Sequence, residues 1–303
     1  MSAPLCLVAA IALGPAAWEA PSLLRVNGMA IELQIGPGAP NLDQRALVRW
    51  VEEAARDVTE YLGEAPVPRV GLRIPTDSGG RIGSGRMFGG EGEALIRVSV
   101  GRRSTERDLA RDWVLTHEMF HLVLPDLPDE QAWLEEGLAT YLEPVARVRR
   151  GRMAAGEMWR GLVEGVPKGL PHAGAPGLDA SQSWGSTYWG GALFWLLADI
   201  EIRERSASRR ALADALRAVL LAGGNGTTRW TTERLLASAD AGTGVPVLHD
   251  LYMKMGRQPL RPDLEDLWRR LGVSPTGDGL EDAPLAALRR AITAPQPSRP
   301  TVG

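Results

Sequence analysis

The chain has 303 residues, with 34 Lys+Arg against 37 Asp+Glu and a net charge of −3. Its length supplies core for one large domain or two small ones, and a make-up of 44% hydrophobic and 23% charged residues excludes a disordered chain, a collagen and a polytopic membrane protein. The acidic balance argues against a nucleic-acid partner, and one Cys beside four His excludes an intramolecular disulfide or a cysteine-built metal site, so a metal here would need His and carboxylates.

In chain order, Leu5 to Leu13 is a short apolar run followed by the small residues Gly14 to Ala17, with no Lys or Arg before Arg25. The apolar middle and the small-residue end are those of a secretory signal, although the basic start is missing. Residues 1–17 are therefore expected to be a signal segment carrying Cys6 away with it, and the mature chain to be secreted or periplasmic. No other stretch is apolar enough to span a bilayer, so no stable membrane insertion of the mature chain is expected.

Residues 30–35 alternate as a strand, and Asp43 to Leu62 has apolar residues at helical spacing. Val70, Leu72 and Ile74 alternate as a second strand, Thr76 to Gly92 is Gly-rich and reads as a loop or hairpin tip, and Ala94 to Val100 is a third strand. A helix capped by Ser104 or Thr105 is expected to run to Pro125, and a second from Gln131 to Arg149. Residues 151–183 read as loop, Thr187 to Arg205 as an apolar helix, and 208–222, 231–239, 245–256, 262–271 and 283–293 as short helices. The expected organisation is an N-terminal α/β layer over 18–103, a core over 104–205, a helical subdomain over 206–293 and a disordered tail over 294–303.

Chemistry concentrates at residues 117–121, His-Glu-Met-Phe-His. Positions i and i+4 of a helix lie on one face, so two imidazoles can bind one Zn²⁺ while Glu118 beside them takes a proton from a metal-activated water. A catalytic zinc has a third protein ligand. The next helix carries Glu135 and Glu136, and spacing alone leaves both as candidates.

The string from His117 to Tyr141 resembles the gluzincin metallopeptidases of the peptidase MA clan, whose HExxH helix is followed by a helix with a Glu directly before Gly. That resemblance makes Glu136, next to Gly137, the third ligand, with Thr140 one turn on as a hydroxyl able to hydrogen-bond a ligand. Residues 187–203, beginning Thr187-Tyr188-Trp189-Gly190, resemble the Tyr-x-x-Gly helix start of the glycyl-aminopeptidase family. The likeness gives Tyr188 the role of stabilising the oxyanion. The chain departs from that family at Val123, commonly Trp, and Gly190, commonly Lys, and is expected to be without its large β domain.

The resulting expectation is an α+β, zincin-like fold, with a small N-terminal sheet on the metal helix and a mostly helical C-terminal part. The expected function is a zinc metallopeptidase holding one Zn²⁺ on His117, His121 and Glu136, with Glu118 and Tyr188 catalytic and a peptide or protein as substrate. The alternative is a catalytically inactive zinc- or peptide-binding module on the same fold. The edge of the strand at 94–100 is expected to pair with an extended peptide. Glu93 reads as part of a polar turn, with capture of a substrate ammonium as the sharper option. His172 and His249 read as exposed or structural, and Trp133, Trp184, Trp189 and Trp195 as core or cleft aromatics.

Overall fold

The computed structural model describes residues 18–295 apart from 19, 39, 40, 91, 173 and 182. The signal-like segment 1–17, with Cys6, and all but the first two residues of the tail lie outside the described residues.

The chain opens with a hairpin that the periodicity did not reveal, β1 (Ser22–Val26) and β2 (Met29–Ile35). Its two-residue turn is Asn27-Gly28, with φ of 45° and 90°. Asn and Gly tolerate this left-handed backbone, and such turns suit the twist of antiparallel strands. Helix α1 (Gln44–Leu62) follows, with the Asp43 side chain accepting from the Arg45 N–H at 3.0 Å and Gly63 ending it at φ 78°. It returns the chain to β3 (Arg69–Ile74), which lies parallel to β2.

Short β4 (Thr76–Asp77), β5 (Ile82–Gly90) and β6 (Glu93–Gly101) complete the sheet. The order is β1-β2-β3-β6, with β5 antiparallel on the outer side of β6. Two expectations change here. The Gly-rich stretch is largely a nine-residue strand, not a loop. Strand β6 is interior, so among the described residues the edges belong to β1 and β5, and the one beside the metal helix is β5. One face of the sheet, including Ile31, Leu33, Leu72, Ile74, Ile96 and Val98, is buried in the main core that α1 also enters.

The expected single helix over 104–124 is two helices. Thr105 caps α2 (Glu106–Arg111) through a reciprocal bond with Asp108. Asp112 then turns extended and its carboxylate accepts from the Val114 and Leu115 N–H groups at 3.0 Å each, starting α3 (Val114–Phe120) in a new direction. A side chain that satisfies N–H groups left free at a helix start favours a break here.

Helix α4 (Ala132–Arg149) packs against α6 (Gly191–Arg205). The region expected as loop over 151–183 contains α5 (Ala155–Gly165), whose Met158, Trp159 and Leu162 are buried. The apolar helix is entered through a π-helical turn, Gly185–Gly190. The C-terminal part is helical as expected, with α7 (Leu212–Leu221), α8 (Thr232–Thr243), α9 (Val247–Met255), α10 (Leu264–Leu271) and α11 (Ala286–Thr293). Among the described residues no helix is long and apolar enough to cross a membrane.

Candidate metal centre

Helix α3 is only seven residues long, and His121 stands at its C-cap. His117 and His121 still share one face, with ring centroids 5.1 Å apart. The turn after α3 and the loop to Gln131 reverse the chain so that the first turns of α4 come back over these rings. Glu136 Oε2 lies 3.1 Å from His117 Nε2 and 3.6 Å from His121 Nε2. One donor atom from each of the three residues falls within 4.8 Å of the others, and among the described residues this is the one such His/Cys/Asp/Glu group. Glu135 points elsewhere: its Oε1 accepts the Leu127 N–H at 3.0 Å and fastens the loop between the helices. The two adjacent carboxylates that spacing left undecided are thus separated by geometry.

The electrostatics follow from burial and proximity. Burial holds His117 below the ordinary imidazole range, whereas at His121 the Glu136 carboxylate outweighs burial and raises it. Burial alone would raise Glu136, but hydrogen bonds from both imidazoles hold it far below the carboxylate range. Burial raises Glu135 to about 7. These three donors converge on one point. Ligand atoms about 2.0–2.1 Å from a tetrahedral zinc lie about 3.3 Å from one another. The Glu136 separations of 3.1 and 3.6 Å bracket that spacing, and all three donor atoms lie within 4.8 Å of one another, so the donor set fits a single zinc ion.

Glu118 faces β5. It is buried, which raises its carboxyl, while the Met87 N–H donates to it and works the other way. Gly85 makes this approach feasible: a Cβ there would stand 2.7 Å from Glu118 Oε1. Three of the four glycines that disguise β5 as a loop, Gly83, Gly85 and Gly89, are thus places where neighbours press on it. Gly89 likewise abuts the Gly226 carbonyl.

Tyr188 comes from the π-helical turn. Its ring stacks on His117 at 6.2 Å and on Trp184 at 5.7 Å. Burial, reinforced by Glu136, raises its hydroxyl to about 12, so it is a proton-bearing donor at neutral pH.

These groups line a cleft of about 540 Å³ between β5, α3 and α4. Its far wall includes Gly226, from a strap over residues 222–231, between α7 and α8, that the sequence did not flag. The Gly226 N–H donates to Leu122 O at 3.0 Å, and Asp126 N–H to Thr228 O at 2.8 Å. The strap carries no group of distinctive chemistry, so nothing in its composition marks it. A second cavity of about 280 Å³ opens on the other side of His117 and Tyr188, lined chiefly by Trp113, Trp184, Trp189, Met158 and Leu162.

Other candidates do not join the centre. Thr140 lines the apolar cavity, and among the described residues its buried hydroxyl has no hydrogen-bond partner, so it does not support a ligand. Glu93 lies at the β5–β6 turn, outside the cleft lining. His172 lines a separate cavity with Lys168 and Ser181, and His249 is exposed on α9. Trp133 and Trp195 are core residues, donating to Asp179 and to the Leu134 carbonyl.

No family model and no curated protein matches this chain. Solved structures do. An aminopeptidase N family protein from Idiomarina loihiensis has a TM-score of 0.62 at 17% identity, over 84% of this chain and 49% of the other. An M1 zinc metallopeptidase from Deinococcus radiodurans has a TM-score of 0.52 at 18% identity, over 82% and 54%. A variant of that metallopeptidase bound to a Tyr-Ser-Ala substrate gives 0.52 at 16%, over 83% and 54%. The chain thus has the fold of the M1 zinc metallopeptidases and spans about half the length of the structures it matches.

Proposed function

We propose that this chain is a zinc metallopeptidase that hydrolyses peptide bonds with water. The observation that carries the reading is the convergence of His117, His121 and Glu136 on one point, with the buried Glu118 on the same short helix. His117, His121 and Glu136 would hold the ion. Zinc, when bound, supplies Lewis acidity, which acidifies water and polarises a carbonyl.

The remaining steps belong to the protein. Glu118 receives the water's proton on a carboxylate oxygen and passes it to the leaving amine. The Met87 N–H keeps that carboxylate turned into the cleft. Tyr188 donates its hydroxyl hydrogen to the substrate carbonyl oxygen as negative charge builds there. Its stacking between His117 and Trp184 holds the ring for that contact. Strand β5 offers a free edge along the cleft, and an extended peptide laid there gains main-chain hydrogen bonds. The aromatic-lined cavity beside His117 fits a large apolar side chain of the residue next to the cleaved bond.

The test is turnover of a peptide library by purified protein, before and after metal removal. The reading expects cleavage that chelation abolishes and stoichiometric zinc restores. Cleavage indifferent to chelation would overturn it.

A further inference from the structure

The outer face of the sheet is unusual in its charge. Cross-strand register sets Gln34, Arg73, Arg97 and Arg86 side by side on β2, β3, β6 and β5. Adjacent strands lie about 4.8 Å apart, so the backbones of three arginines fall within about 10 Å across the sheet, with the Arg86 guanidinium 5.3 Å from the Phe88 ring centre. Arg73, Arg97 and Arg86 are exposed, and among the described residues none of them forms an ion pair. Like charges directly opposite one another destabilise a sheet. The row therefore costs the fold stability.

The excess extends over the face. Arg25 and Arg69 share it, against Glu32, which Arg69 neutralises at 2.8 Å, and Glu93 at the far end of β6. The face is thus basic on a chain whose net charge is −3. The adjacent row reads Leu23, Glu32, Gly71, Leu95 and Phe88, with apolar side chains at its two ends, Leu23 51% and Phe88 46% exposed. Arg86 belongs to the row and also lines the metal cleft.

We infer that this outer sheet face is a docking surface for an acidic stretch of polypeptide. Charge complementarity supplies the attraction, and a partner's carboxylates would relieve the Arg73–Arg97–Arg86 repulsion. The exposed Leu23 and Phe88 beside the arginines favour a polypeptide over a nucleic acid or a lipid headgroup, since interfaces between proteins pair Arg with apolar and aromatic side chains. Because Arg86 lies on both surfaces, a segment docked here runs up to the mouth of the cleft. The inference concerns binding and stands apart from the peptidase reading.

The test uses the full chain and a labelled peptide in which Glu alternates with Leu. Its comparators are the same peptide with Gln for Glu, a short DNA duplex and phosphatidylserine vesicles. We expect the acidic peptide to bind best, with affinity falling as salt rises. The double variant Arg73→Gln/Arg97→Gln should lower that affinity about fivefold to tenfold while melting no lower than the parent. If the double variant does not fold, the repulsion argument fails, and the two single variants decide the binding claim. Equal binding of the Gln peptide, unchanged affinity in the variants, or tighter binding of DNA or vesicles would overturn the inference.

Discussion

Gly137 and Gly191 meet backbone to backbone where α4 crosses α6, and a Cβ on either would fall inside the other's main chain. This contact joins two parts of the centre. Gly137 directly follows Glu136, and Gly191 directly follows the π-helical turn that bears Tyr188. The Trp195 indole N–H donates to the Leu134 carbonyl at 2.8 Å and locks the same crossing. Gly137→Ala should push the helices apart, cost about 2–3 kcal/mol by overpacking and separate Tyr188 from His117. A thermal melt reads the first effect. The second predicts a larger loss in kcat than in zinc affinity, and an alanine variant with parental stability would refute the contact's role.

Behind the metal helix, fully buried Asp57 accepts from Thr116 at 3.0 Å and pairs with Arg150 at 3.1 Å and with Arg152. Thr116 precedes His117, so this network ties the metal helix to α1 and to the end of α4. Asp57→Ala would leave two partly buried guanidinium groups without that carboxylate, and removing one partner of a buried pair costs about 3–5 kcal/mol. Glu53 and Glu60 also pair with Arg150, which places the expected loss towards the lower end. Chemical denaturation of the metal-free protein measures it, and a change within error would contradict the assignment.

Stability should also depend on pH through Glu143. Burial raises its carboxyl to about 7 even though Arg147 donates to it at 2.7 Å. The folded state then keeps this proton up to about pH 7, while the unfolded chain releases it near its ordinary carboxylate value. Between those values the folded state binds more protons, so stability falls as pH rises through the window. Glu143→Gln should flatten that part of the stability profile whatever it does to absolute stability. A variant profile as steep as the parent's between pH 5 and 7 would count against this.

Much of this centre was legible in the chain. The i, i+4 histidines and the Glu beside them need only a helix, and the α3 residues that place them on one face are local. The choice between Glu135 and Glu136 was not local. It depends on how the loop after His121 reverses, with Leu127 taking one carboxylate and the histidines the other. Strand β5 was hidden because glycine replaces the side chains whose alternation would reveal it, and glycine is there because Glu118 and Gly226 lie against it. The break at Asp112 was hidden because the apolar spacing continues through it. The arginine row was invisible for another reason: Arg73, Arg86 and Arg97 become neighbours only through sheet register.

Tyr188→Phe removes one hydroxyl from a stacked ring and leaves the stacking intact. If that hydroxyl donates to the developing oxyanion, kcat should drop about a hundredfold or more while zinc content and KM change little. A drop confined to KM would assign Tyr188 to substrate binding instead.

The central claim is that Glu118 moves the proton for a reaction centred on His117, His121 and Glu136. The most direct measurement is single-turnover hydrolysis by zinc-loaded Glu118→Gln, with its metal content determined on the same sample. The account predicts one zinc per chain and a rate reduced by about two to four orders of magnitude. Parental hydrolysis by the zinc-loaded variant would contradict it.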